Sequence, residues 1–284
     1  MPTLTPLVSS AAYGVSDYLG GVASRRQDPL RVIAIAYPTS VLGTALLVPL
    51  VPGHVTTSGL AWGAASGAVM AFAIWWFYRA LAVGPISVVS PVTAVLGAAI
   101  PVLVAVGEGD RPGLLTWTGI GLGLAGATLV SCDLGAGRRI SARTLLLTLG
   151  AGTAFALGFV LTAQVPAGSG ILPLVVARAV ASAVVLAILL LQSRACDTAG
   201  RTTWAGGVRA WGGPMLVGAV DVVANATMYL TFQAGDLAVG SVVIALYPAF
   251  TVALAVLVLR ERVHRVQVCG LAAAVASVLL VRVG

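Results

Sequence analysis

Three polar side chains fall at helical spacing inside the long apolar run from 207 to 233. Asp221, Asn225 and Tyr229 are four residues apart, so a helix places them in one stripe, with Gly218 close to the same face. A carboxylate in apolar surroundings is unfavourable unless it meets protein, water or a charged partner. Asp221 is therefore a candidate for binding a charged group, and a static hydrogen-bonded pair between helices is the alternative.

A second acidic residue, near the N-terminus, also lies in an apolar run at helical spacing from other polar residues. Ser9, Tyr13 and Asp17 are also spaced by four residues inside an apolar run. A carboxylic acid in this setting can bind and release a proton, which makes Asp17 a candidate coupling group. The competing interpretation places Asp17 near a helix end, paired with Arg25 or Arg26.

One arginine falls deep within an apolar run, away from either end. Arg178 lies about 10 Å along the predicted helix that begins near residue 171, at 1.5 Å per residue. A guanidinium at that depth requires an anionic partner, and Asp221 or an acidic solute would serve. Substrate recognition and a purely structural ion pair are both open.

Aromatic residues in the apolar runs could line a cavity and contact an apolar or aromatic solute. Trp75 and Tyr247 are the candidates, although aromatic residues near helix ends are more often interfacial anchors. Tyr247 precedes Pro248, and a proline inside a helix frees a backbone carbonyl and bends the helix. Pro91 and Pro101 could act in the same way in the first half. Membrane helices also tolerate proline without a functional role.

These side chains belong to a chain with the composition of an integral membrane protein. It is 59% hydrophobic and 9% charged, whereas soluble domains have about 25% charged residues. Apolar runs of about 20 residues, the length that spans a bilayer, recur along the chain. Each should be a helix, because lipid offers no partner to unpaired backbone groups. The runs are 4–24, 30–52, 57–82, 85–107, 113–132, 142–164, 171–192, 207–233, 237–259 and 266–283.

The polar residues between the runs argue against several other classes of protein. All sixteen basic residues are arginines, and most lie in short connectors, so the net charge of +7 indicates membrane orientation rather than nucleic-acid binding. His54 and His264 fall in connectors, and the three cysteines lack metal-site spacing. We therefore expect no metal, no other cofactor and no enzymatic activity.

The arginine distribution also predicts an orientation. Thirteen arginines flank the connectors after the odd-numbered helices, two lie on the other side, and Arg178 lies within a helix. The thirteen are Arg25, Arg26, Arg31, Arg79, Arg138, Arg139, Arg143, Arg194, Arg201, Arg209, Arg260, Arg262 and Arg265. Because cytoplasmic connectors are rich in arginine, both termini should lie outside the cytoplasm.

The chain also contains an internal duplication. Residues 229–281 align without a gap on residues 78–130, at a constant offset of 151 positions. The coinciding pairs include Tyr78/Tyr229, Gly84/Gly235, Ser90/Ser241, Ala94/Ala245, Arg111/Arg262 and Gly119/Gly270. Five helices per unit is an odd number, so the two units, 1–140 and 141–284, should cross the membrane in opposite directions. Inverted repeats of this kind are typical of secondary transporters, with the solute site between the repeats.

Several sequence features resemble the EamA family of the drug/metabolite transporter superfamily. They are the arrangement of five plus five helices, AAYGVSDYLGG at 11–21, PLVVAR at 173–178, and Pro248 followed by Glu261 in LRER. The resemblance covers the whole chain and implies a multi-pass protein of the cell membrane that exports amino acids, metabolites or drugs, often with ion coupling. Many members have cytoplasmic termini, contrary to the orientation predicted here from the arginines.

We therefore expect an all-α membrane protein with ten transmembrane helices in two five-helix inverted-topology repeats. The predicted function is secondary active transport, as an exporter, of a small organic solute, with protons as possible coupling ions. A sugar or nucleotide-sugar carrier is the alternative, and a channel or lipid scramblase is a third. The predicted partners are the solute and the lipid bilayer, and the protein should be a monomer or homodimer.

Overall fold

A computed structural model of the chain describes residues 4–107, 109, 113–115, 117–119, 121–122, 125–126, 141–195, 211–234, 237–259 and 265–283. Ten α-helices are defined over these residues. They are α1 Leu4–Arg26, α2 Pro29–Ala45, α3 Thr57–Val83, α4 Ile86–Gly107, α5 Ala142–Ala163, α6 Leu172–Ala195, α7 Gly212–Gln233, α8 Leu237–Ile244, α9 Tyr247–Leu259 and α10 Arg265–Val283. The described part of the chain contains helices and connectors without strands, as the apolar runs predict.

Helix ends follow local sequence signals. Asp28 caps α2 by accepting a hydrogen bond from the Leu30 amide at 2.9 Å, and Pro29 occupies the first helical position, where a missing amide costs nothing. Thr56 caps α3 through the Gly59 amide, and Ser141 caps α5 through the Thr144 amide. The helices therefore begin at residues that satisfy their unpaired amides.

Four of the described helices are long and apolar enough to cross a membrane: α3, α5, α6 and α7. Helix α1 is 23 residues long but less apolar, since it carries serines, tyrosines and Asp17, and α2 is only 17 residues long. Half of the predicted fifth span, 113–132, lies outside the described residues. The multi-pass helical character is confirmed, although the ten predicted spans are not all matched by equally long helices.

The predicted ninth helix, 237–259, is wrong as a continuous element. It divides into α8 and α9 at Ala245 and Leu246, where Leu246 N–H donates to the Val243 carbonyl at 3.2 Å in a tighter turn. Pro248 follows in the first turn of α9, where proline is tolerated but cannot continue the hydrogen-bond ladder from α8. Pro91 and Pro101, by contrast, lie inside an uninterrupted α4.

Small residues bring the central helices into backbone contact. A Cβ added to Gly67 of α3 would meet the Ala177 carbonyl of α6, and one added to Gly218 of α7 would meet the Ala36 carbonyl of α2. Glycine at helix crossings permits this approach, which is a common basis of helix packing in membranes. Helix α1 packs against α7 and α9, and α5 packs against α3 and α4.

Two connectors meet at one end of the bundle. The loop after α2 and the loop after α5 exchange backbone hydrogen bonds: His54 N–H donates to the Gly168 carbonyl at 2.9 Å, and Ile171 N–H donates to the Val51 carbonyl at 3.3 Å. The backbones of Gly53 and Gly170 are too close for a side chain, and Gly170 has a φ of +66°, which glycine adopts without strain. We call these two segments, 51–54 and 167–171, the loop pair.

Candidate functional site

A cavity lies in the middle of the bundle and encloses about 620 Å³ of space not filled by atoms, part of it continuous with solvent. Helices α1, α2, α6 and α7 contribute mainly polar side chains to its lining, whereas α3, α4, α5 and the α8–α9 break contribute mainly apolar ones. The lining residues are Tyr13, Ser16, Asp17, Tyr37, Met70, Ile74, Thr93, Ala94, Gly97, Phe155, Phe159, Arg178, Asp221, Asn225, Ile244, Ala245 and Tyr247. Six of the eight residues predicted for the site are among them.

Asp221 is held by three side chains from three helices. Its Oδ2 atom accepts hydrogen bonds from Ser40 Oγ of α2 at 2.7 Å and from Arg178 Nη1 of α6 at 3.2 Å. Its Oδ1 atom accepts from Asn225 Nδ2, one turn later on α7, at 2.7 Å. The carboxylate is thus fully engaged with protein groups, and the predicted Arg178–Asp221 pair is formed.

Arg178 is buried, with 5% of its side chain exposed. Besides Asp221, it donates from Nη2 to Asn225 Oδ1, and its guanidinium lies over the Tyr37 ring at 5.4 Å. A buried guanidinium needs this number of partners, because water is absent to solvate it. Its Nε–H is buried and has no hydrogen-bond partner among the described residues.

Tyr13 connects α1 to this network. Its hydroxyl donates to Asn225 Oδ1 at 2.7 Å, and one turn earlier Ser9 Oγ donates to the Ala224 carbonyl at 2.8 Å. The predicted stripe of Ser9, Tyr13 and Asp17 does face one direction, towards α7 and the cavity. The stripe therefore positions α1 against α7 through polar contacts as well as packing.

Asp17 differs from Asp221 in having no partner. It lines the cavity and is 6% exposed, and within the described ranges its carboxylate has neither a hydrogen bond nor an ion pair. Asp221, Tyr13, Tyr78 and Tyr247 are the titratable groups close enough to interact with it electrostatically. The sequence left open whether Asp17 faces a site or pairs with Arg25 or Arg26, and its position favours a site.

Tyr247 lies at the break between α8 and α9 and faces the cavity from there. Its hydroxyl donates to the Ser90 carbonyl of α4 at 3.2 Å, and its ring centroid is 6.4 Å from that of Tyr13. A Cβ at Gly14 of α1 would meet the Tyr247 carbonyl at 2.7 Å, so α1 packs directly against the break. The interrupted helix thus borders the cavity, although the break is at Ala245 and Leu246, before the Pro248 bend that the sequence predicts.

Two predicted site residues do not line this cavity. Trp75 follows Ile74 by one position, so its ring points away, packing beside Phe72 with the Arg79 guanidinium 5.6 Å from its centre. Tyr229 points towards the loop pair, where its hydroxyl donates to the Gly170 carbonyl at 2.7 Å. Regular helical spacing was correct for Asp221 and Asn225, but one further turn carries Tyr229 beyond the cavity.

Several lining residues were missed from the sequence. Tyr37 lines the polar side, Ser40 three positions later donates to Asp221, and Thr44 lies four positions beyond. Their spacing therefore contained a signal of a polar stripe in α2. Phe155 and Phe159 form the opposite apolar wall at a spacing of four. Nothing in an apolar run marks such phenylalanines as cavity residues rather than core.

An apolar cluster separates the cavity from the loop pair. It contains Met70, Phe159, Met228, Phe232 and Ile244, with the rings of Phe159 and Phe232 packed edge to face at 5.9 Å. Met228 and Phe232 follow Asn225 on α7, and Gln233 then donates to the Val165 carbonyl in the loop after α5. The described conformation is therefore closed at the loop-pair end.

The chain was compared with known families and structures. The family description "EamA-like transporter family" matches residues 142–283. A crystal structure, described only as that of a protein, is 17% identical, has a TM-score of 0.66, and is matched over 98% of this chain and 95% of its own, which supports the fold alone. No curated protein sequence matches the chain. With half of its residues matched by the family description, the chain belongs to the EamA-like transporter family.

Proposed function

We propose that the protein is a secondary transporter, an exporter, that carries a small organic solute through the central cavity by alternating access. The observation that carries the proposal is a central cavity, within a helical bundle of a transporter family, that combines a buried charged network with an unpaired acid. Ionisable groups inside membrane helices are costly and usually mark a path for solute or ions. The cavity is lined by residues from both halves of the chain.

The proposed inverted repeat is supported by matched helix contacts. Gly67 and Gly218 are 151 positions apart, the offset of the duplication. Gly67 packs on Ala177 in the second helix of the second half, and Gly218 packs on Ala36 in the second helix of the first half. Each half thus places its third helix on the second helix of the other half. This reciprocity is expected of two units related by a pseudo-two-fold axis in the membrane plane.

The same offset relates pairs of residues that both line the cavity. The pairs are Met70 with Asp221, Ile74 with Asn225, Thr93 with Ile244 and Ala94 with Ala245, and all eight residues line it. A cavity lined by matched positions lies on the axis that relates the repeats. Rocking of one unit against the other would then expose it alternately to the two sides of the membrane.

The two acids have different proposed roles. Asp221 holds Arg178 and Asn225 in place, so its role is to position the polar wall. Asp17 has a free carboxylate towards the cavity and is the candidate for contacting the solute or a coupling proton. A sugar or nucleotide-sugar carrier remains the alternative, since the lining also contains neutral polar residues such as Ser16, Thr93 and Asn225.

We further propose that both termini lie outside the cytoplasm, because thirteen arginines flank the connectors after the odd-numbered runs of the ten predicted from the sequence. A reporter protein that functions only in the cytoplasm, fused after Gly284, is then expected to remain inactive. Activity of that fusion would reverse the orientation. The loop pair would lie on the non-cytoplasmic side, so the described conformation is closed to the outside.

The function is tested by solute flux in proteoliposomes, after a thermal-shift screen has identified a solute that stabilises the purified protein. A carrier should show saturable uptake that is accelerated by the same solute on the other side of the membrane. Linear uptake without this acceleration would favour a channel or scramblase. Empty liposomes provide the background rate.

A further inference from the structure

The charges that line the cavity do not balance. Within the described residues, the lining contains two carboxylates, those of Asp17 and Asp221, and one guanidinium, that of Arg178. With the acids ionised, one negative charge remains without a counterion. Because Asp221 and Arg178 satisfy each other at 3.2 Å, the excess charge belongs to Asp17.

The position of Asp17 makes this charge available to a ligand. The residue is 6% exposed, lines the cavity, and makes no hydrogen bond or ion pair within the part of the chain that the structure describes. A buried carboxylate without a partner takes up a proton, so Asp17 is ionised only when a cation displaces that proton. The cation then pairs with the carboxylate in surroundings that screen charge weakly, whereas an anion could form no such pair.

Aromatic rings surround the same place. Tyr13 and Tyr247 line the cavity with ring centroids 6.4 Å apart, and both interact electrostatically with Asp17. The faces of tyrosine rings attract cations, including quaternary ammonium groups that cannot donate hydrogen bonds. The opposite wall, formed by residues such as Phe155 and Ile74, offers apolar contact only.

We infer that the cavity takes an amphipathic organic monocation, with its ammonium head at Asp17 between Tyr13 and Tyr247 and its apolar body against the Phe155 wall. This inference rests on the proposed transport function and adds a substrate class to it. A zwitterion fits less well, because Arg178 already donates to Asp221 and Asn225. The charge of the ligand is therefore the property that the site selects.

The test is calorimetric titration of the purified full chain with benzyltrimethylammonium, its neutral carbon isostere and phenylalanine. The cation should bind, and the neutral isostere and the zwitterion should bind at least about tenfold more weakly. Asp17→Asn should weaken cation binding by a similar factor, whereas Asp17→Glu should retain most of it. Asp28→Asn is the matched control, since it removes the same charge at the exposed cap of α2 and should leave binding unchanged.

Folding of each variant is checked by its melting temperature in detergent, which Asp17→Asn should preserve or raise because it replaces a buried acid that has no protein partner. Equal binding of the cation and its neutral isostere, preference for phenylalanine, or unchanged cation binding by Asp17→Asn would overturn the inference. If the cation binds but no solute is transported, the cation site is supported and the transport function is refuted. If another solute is transported but the cation does not bind, the transport function is supported and the cation site is refuted.

Discussion

Replacement of Asp221 by asparagine is expected to lower the free energy of unfolding by about 3–5 kcal/mol, the range observed when one partner of a buried ion pair is removed. The carboxylate accepts hydrogen bonds from Ser40, Arg178 and Asn225. An asparagine amide in its place leaves the Arg178 guanidinium buried and without a counterion. The N–H groups of the new amide would also face the donor groups from which the carboxylate accepted hydrogen bonds. The loss should be measured by titrating the purified protein with a denaturing detergent.

Two further variants distinguish the effect of breaking the Arg178–Asp221 ion pair from the effect of removing one carboxylate. Arg178→Met combined with Asp221→Leu removes both partners and should recover most of the stability, because replacing a whole buried pair with apolar residues is often neutral. Asp17→Asn removes a carboxylate that lacks such partners and should not destabilise the fold. A small effect of Asp221→Asn, similar to that of Asp17→Asn, would contradict the assigned difference between the two acids.

Transport should respond differently from stability. Asp221→Asn is expected to abolish gradient-driven transport, because Asn225 and Arg178 lose their fixed positions on the polar wall. The apolar double variant should fold yet remain inactive for the same reason. Normal transport by that double variant would show that the network serves the fold alone.

Much of this architecture follows from periodicity in the sequence. Spacings of four residues correctly placed Tyr13 and Asp17 on one face of α1, and Asp221 and Asn225 on one face of α7, since helical geometry is set locally. An arginine within an apolar run indicated its acidic partner, because an unpaired guanidinium is unfavourable there. The Arg178–Asp221 pair was therefore predictable from two residues 43 positions apart.

Other features depend on tertiary packing and were not predictable from one helix at a time. The interruption of the 237–259 run at Ala245 and Leu246 precedes Pro248, whereas Pro91 and Pro101 leave α4 intact. Whether a proline breaks a helix depends on the neighbours that replace the lost hydrogen bonds. The position of Tyr229 beside Gly170 likewise depends on a loop that no helical pattern describes.

The second large effect concerns the loop pair, which closes one end of the bundle. The backbones at 54 and 168 are joined by a hydrogen bond of 2.9 Å, and His54 and Ala167 are both exposed. His54→Cys combined with Ala167→Cys should therefore form a disulfide on mild oxidation. In alternating access this end must separate during each cycle, so the bond should hold the protein in the conformation that is closed there.

The most direct test is labelling of a cavity cysteine from each side of the membrane. Ala245→Cys lies at the cavity lining, and it would be combined with the loop-pair cysteines after the three native cysteines are replaced by serine. A membrane-impermeant maleimide is applied to vesicles of known orientation, with and without prior oxidation. The same protein kept reduced is the control.

Reduced protein should be labelled at Ala245→Cys from both sides, because each conformation is visited in turn. Oxidation should prevent labelling from the loop-pair side and increase it from the opposite side, since the trapped population is shifted to that conformation. Reduction should restore the original pattern. Labelling from the loop-pair side that persists after oxidation, or opposite-side labelling that does not rise, would contradict alternating access through this cavity.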